Sequence, residues 1–127
     1  MSITATLSGG IQLTDSATNS TIFTKQLLSL LMVGTSFGET QSASIGTSPT
    51  SITLPISPVQ FLYIKNLHAT QTLKVTWTPN GGASNDVVVL QPGSTIIFLE
   101  AAAASGITAL SLTGSGAATI CEYVLAG

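Results

Sequence analysis

Between Phe61 and Trp77 the chain reads FLYIKNLHATQTLKVTW, two apolar, β-branched runs around the polar centre His68-Ala69-Thr70-Gln71-Thr72. In the second run Leu73, Val75 and Trp77 alternate with Lys74, Thr76 and Thr78, the period of two that marks a half-buried strand. In the first, Leu62 and Ile64 fall on one side and Phe61 and Tyr63 on the other, so both faces are apolar. The pattern predicts a hairpin made of a central strand and its neighbour, with Trp77 as a core anchor.

The same alternation recurs on both sides of this stretch. Ser2 to Leu7 sets hydroxyls against Ile3, Ala5 and Leu7, and Gly9-Gly10 reads as the turn that ends this strand. Ile11 to Leu13 continues it or pairs with it, and Asp15 to Thr21 is a polar loop. Glu39 to Ile45 alternates again, Gly46-Thr47-Ser48-Pro49 turns, and Ile52 and Leu54 form a short strand that Pro55 stops. Pro79-Asn80-Gly81-Gly82 is a turn, Asp86 to Leu90 a strand, and Gln91-Pro92-Gly93 a turn with proline second and glycine third. Thr95 to Leu99, Ile107 to Leu112 and Ala117 to Leu125 complete the strands, with a small-residue loop at 101–106. Short strands with turns every ten or so residues predict an all-β sandwich or barrel.

One segment supports two readings. Ile22 to Val33 could be a strand buried on both faces, or a short helix capped by Thr21 or Thr24. The clustering of Leu27, Leu28, Leu30 and Leu31 on one side favours the helix, which Gly34 to Gly38 would end.

Composition sharpens this picture. A chain of 127 residues fits one domain, spanning 1–127, with a two-layer core. Its charged groups are Lys25, Lys65 and Lys74 against Asp15, Glu39, Asp86, Glu100 and Glu122; 16 serines and 19 threonines carry the remaining polarity. A net charge of −2 offers no footprint for nucleic acid or an anionic membrane, and it weakens self-repulsion, so association with copies of itself or with a partner is expected. The apolar run Leu27 to Val33 is far short of the ~20 residues that span a bilayer. The start of the chain lacks the basic-then-apolar order of a signal peptide, so synthesis in a cytoplasm is the expectation.

Candidate chemistry is sparse. Cys121 has no partner for a disulfide or zinc site and lies in a predicted strand, which favours a buried structural thiol. His68 has no carboxylate close to it in sequence, so a hydrogen-bonding loop histidine is expected rather than a general base. Five scattered carboxylates define neither a glycosidase pair nor a calcium loop, and no paired His or Cys spacing supports zinc. The glycine clusters at 81–82 and 114–116 open no helix after a strand, so they read as turns. Phe61, Tyr63 and Trp77 could stack on a sugar or base if exposed, although alternation within strands favours core positions. The expectation is a non-enzymatic protein with no catalytic residue, cofactor or metal.

From residue 45 onward a family resemblance emerges. It is carried by Ile45-Gly46-Thr47-Ser48-Pro49, by Tyr63-Ile64-Lys65-Asn66-Leu67-His68-Ala69-Thr70, by Leu90-Gln91-Pro92-Gly93, and by the closing Glu122-Tyr123-Val124-Leu125. In this order the chain resembles small virion proteins of tailed bacteriophages, while its first forty residues carry little of the likeness. The resemblance implies a β-sandwich of jelly-roll type, acting as a head decoration (cement) protein. Its partners would be the major capsid protein and copies of itself, as dimer or trimer, with the protein located in the virion. A tail or fibre-tip component, or a host-surface carbohydrate-binding adhesin with two or more exposed aromatics on one face, is the alternative. No catalytic residue carries over.

Overall fold

The computed structural model describes residues 3–14, 17–18, 21–34, 37–100 and 102–127. Among these the chain is all-β, with a single 3-10 turn at Ala103–Ser105 in the small-residue loop.

The first two strands, β1 (Ile3–Thr14) and β2 (Thr21–Gly34), form an antiparallel ribbon that runs from Thr14 opposite Thr21 to Ile3 opposite Gly34. The helix expected near residues 22–33 is therefore a strand. A short apolar run does not distinguish the two by periodicity, and here β1 meets its backbone donors and acceptors, which a helix would have satisfied internally. Gly9-Gly10 does not reverse the chain either. It sits inside β1, where the register shifts between Leu7 and Gly9, and the reversal falls at Ala17-Thr18. Glycine suits such an irregularity because the bulged backbone kinks and twists more than side chains readily allow.

Eight further strands follow: β3 (Phe37–Ile45), β4 (Thr50–Ile52), β5 (Phe61–Asn66), β6 (Leu73–Pro79), β7 (Asp86–Leu90), β8 (Thr95–Leu99), β9 (Ile107–Gly114) and β10 (Thr119–Ala126). They form two four-stranded sheets, β3-β10-β5-β8 and β4-β9-β6-β7, antiparallel throughout. The two sheets meet over one core. Ile45, Leu62, Ile64, Cys121 and Leu125 come from the first; Leu73, Val75, Leu90, Leu110 and Leu112 come from the second. Trp77 is half-buried and packs against this core from the end of β6.

The Phe61–Trp77 hairpin is not formed. Its two strands sit in opposite sheets, and Leu67–Thr72 crosses between them. Placing β5 and β6 face to face buries Leu62 and Ile64 against Leu73 and Val75, whereas pairing them side by side would leave that core without a facing layer. Asn66 fixes the crossing. Its fully buried amide donates from Nδ2 to the carbonyls of Gln71 (2.8 Å) and Leu90 (3.1 Å), and its Oδ1 accepts the His68 amide (3.0 Å).

The expected turn at Gln91-Pro92-Gly93 does reverse the chain. The Gln91–Ser94 turn closes with the Ser94 amide donating to the Gln91 carbonyl at 3.0 Å, and Gly93 adopts φ +76°. A four-residue link of this kind holds β7 and β8 on the same flank of the two layers, where each is an outer strand.

Candidate functional site

On β5 every second residue enters the core, so Phe61, Tyr63 and Lys65 occupy the outward face of the first sheet. The register sets Val124 of β10 beside Tyr63 and Glu122 beside Lys65; on the other flank Ile97 of β8 sits beside Tyr63 and Leu99 beside Phe61. Across β10 lies Glu39 of β3, opposite Val124. Between Ala43 and Thr40 strand β3 advances one residue more than β10 does, a bulge centred on Gln41 and Ser42. Such an extra residue increases local twist and re-aims side chains.

Here the face dips. A depression of about 380 Å³ is lined by Glu39, Thr40, Gln41, Tyr63, Glu122, Tyr123 and Val124. The Tyr63 hydroxyl donates to Glu122 Oε1 at 2.6 Å. Donation to a carboxylate, with its charge nearby, raises the Tyr63 phenol above its ordinary 10.0, since removing that proton would set two negative oxygens together. Glu39 and Gln41 are exposed and engage no hydrogen bond or ion pair among the described residues. The site thus offers open acceptors beside an aromatic ring. It holds no nucleophile activated by a base, and no group of three His, Cys, Asp or Glu side chains that could hold a metal occurs among the described residues.

The other residues singled out in the sequence are scattered. His68 lies in the crossing loop, where its Nδ1 accepts the amides of Thr70 (3.2 Å) and Gln71 (2.9 Å); no carboxylate bonds to it among the described residues. It is a loop-organising group. Cys121 is fully buried, and burial pushes its thiol up to about 11. Glu100 accepts the Ala102 amide at 3.1 Å, and Asp86 is exposed at the start of β7. Phe61 and Tyr63 are half-buried on an outward face rather than in the core, unlike Trp77. No helix among the described residues is long and apolar enough to cross a membrane.

Sequence reasoning did not assemble Glu39, Gln41, Tyr63 and Glu122. The available signal was parity: Glu122 falls between the positions of the buried residues Thr119, Cys121 and Leu125, which puts it on the outside of a strand whose partners only the fold supplies.

No family model and no curated protein matches the chain. Among solved structures, a chain from the Bacillus endospore appendages, described as a novel family of disulfide-linked pili, is similar over 72% of this chain and 88% of its own. The identity is 14% and the TM-score 0.46, a likeness that carries no weight for fold or function.

Proposed function

We propose that this chain is a non-enzymatic structural protein of a tailed-phage virion: a decoration protein, made in the host cytoplasm, that binds the major capsid protein and copies of itself and stiffens the shell. The observation that carries this reading is the β1–β2 ribbon. Twelve and fourteen residues long, its strands pair with each other and with no third strand among the described residues. A two-stranded ribbon is marginal in water and needs further strands or a packed face to persist. A shell surface or a sister copy supplies that cover.

Three further features support the reading. Val87 and Val89 on the outer strand β7 and Ile97 on the outer strand β8 are exposed, at 49%, 52% and 46%, which gives one flank apolar character beside open backbone groups. The charge inventory is too small for electrostatic capture, so contact area and main-chain pairing would hold the subunit.

The third feature is topological. Taken as eight consecutive strands, β3 to β10 pair first with last, second with seventh, third with sixth and fourth with fifth. Rolling such a folded-over ribbon adds the contacts β5–β10 and β6–β9. This nesting supports a jelly-roll reading of the fold, an architecture that capsid proteins use.

The test is reconstitution. Protein stripped from particles is added back at low and at high ionic strength, and occupied sites and heat resistance are measured. Full rebinding in both, with a higher particle disruption temperature, is the expected result, because few screened charge pairs contribute. Binding to host cells with no effect on the shell would overturn the decoration reading and place the protein in the tail.

A further inference from the structure

We propose that the depression at the β3 bulge binds a neutral, polyhydroxylated ring, one sugar unit of a glycan. The proposal does not depend on where the protein sits in a particle. It rests on the chemistry of the side chains that line the depression.

Three ligand classes fit poorly. Anions meet Glu39 and Glu122 on the wall, with Lys65 beside Glu122 as the sole cation on that face among the described residues. Metal ions lack a third acidic or imidazole ligand. Large apolar ligands exceed the space, since about 380 Å³ lies near the lower end for small-molecule sites.

A sugar ring satisfies what remains. It has an apolar face for the Tyr63 ring and Val124, and it brings hydroxyl donors for acceptors that no group in the described chain engages. Glu122 is held in place for this task. The Tyr63 hydroxyl occupies Oε1, and Oε2 carries no hydrogen bond among the described residues, so the carboxylate presents one open oxygen in a fixed orientation. Glu39 and the Gln41 carboxamide supply further acceptors across the dip, and the bulge is what brings Gln41 onto its wall. Phe61 lies outside the depression but two residues along the same outward face, where it offers an apolar surface to a second ring of the glycan.

The experiment uses the full chain, isotope-labelled, titrated with maltoheptaose, cellohexaose, chitotriose and galactobiose while backbone amide shifts are recorded. At least one probe is expected to move the amides of Glu39, Gln41, Tyr63 and Glu122 together and to saturate. Glu122→Gln and Glu39→Gln, which preserve shape, should each weaken that probe by about tenfold or more, the loss expected when a hydrogen bond to a charged acceptor becomes neutral. Lys74→Gln, on the outward face of the other sheet, should leave it unchanged. Retained spectral dispersion in each variant separates lost binding from lost folding. The proposal is overturned if no probe shifts these amides at the highest soluble concentration, if the shifts map to another face, or if both carboxamide variants bind as the parent does.

Discussion

Replacing Asn66 with alanine probes the element that joins the two sheets. The substitution removes three side-chain hydrogen bonds and strands three backbone groups. The Leu90 carbonyl lies in buried surroundings, while the Gln71 carbonyl and the His68 amide are partly reached by solvent. A buried polar group left without a partner costs about 1–3 kcal/mol, and water recovers part of that where it can enter. One full penalty, two partial ones and the small void sum to about 3–5 kcal/mol, a large share of the ~5–15 kcal/mol that holds a typical domain together. The assay is urea unfolding followed by Trp77 fluorescence, with midpoint and slope fitted together. Asn66→Asp keeps the shape and the Oδ1 acceptor but aims an acceptor at two carbonyls, so it should destabilise at least as much as alanine. A loss below about 1 kcal/mol for alanine at unchanged slope would refute the reasoning, because it would mean that the crossing loop keeps its path without the Asn66 amide.

Other outcomes follow from single sites. Trp77→Ala should cost about 2–3 kcal/mol, below the ~3–5 kcal/mol of a fully buried aromatic, because Trp77 is half-buried at a strand end; a melting point equal to that of the parent would remove it from the core. Gly114→Ala should cost about 2–3 kcal/mol in the same unfolding assay, since the added Cβ meets the buried Thr119 side chain and stands 2.8 Å from the Ile45 carbonyl, a backbone atom that cannot turn away. The Cys121 thiol, raised from 9.0 to about 11, should resist a thiol reagent at pH 8 in the native protein and react fully once unfolded. The same shift works against the fold in alkali: above pH 9 the unfolded chain releases this proton first, so stability falls from there toward pH 11, and Cys121→Ser should flatten that fall. In an ultraviolet pH titration Tyr63 should ionise above the ordinary tyrosine range, and Glu122→Gln should bring it down.

Local signals in the sequence reached as far as faces and turns. The expected strands at Asp86–Leu90 and Thr95–Leu99 coincide with β7 and β8, because runs of four β-branched or large apolar residues on either side of Pro92-Gly93 leave little choice, and proline then glycine at 92–93 dictates the turn between them. Alternation in Leu73–Trp77 identified the face that enters the core. It does not say which strand lies alongside, so the local pattern suits a hairpin, whereas β5 and β6 belong to facing layers. The clue was Asn66, a polar residue closing an apolar strand, whose burial makes sense only where a loop must be tied down on several sides. At 22–33 the leucine cluster at 27, 28, 30 and 31 masked the strand, since its spacing fits one side of a helix as well as a densely apolar strand. Parity could place Glu122 on an outward face, but not its company: the β3–β10 register sets Glu39 opposite Val124 and the bulge at Gln41 and Ser42 opposite Glu122, which no nearby residue announces.

The nesting of the strand pairs also sets a schedule for folding. Trp77 and Asp86 close a loop of eight residues, whereas Phe37 and Ala126 stand at opposite ends of the two layers' sequence and must still find each other. Closing entropy rises with loop length, but each inner pair shortens the effective loop for the next. The cheapest route therefore zips outward from β6–β7 through β5–β8 and β4–β9, leaving β3–β10 until the end. Contacts this distant in sequence put the chain among slow folders, in the millisecond-to-second range. Until β10 docks, the sheet edges of β3 and β5 stay open together. During that interval a chain so poor in charge is exposed to pairing with its neighbours, and refolding yield should fall steeply with protein concentration.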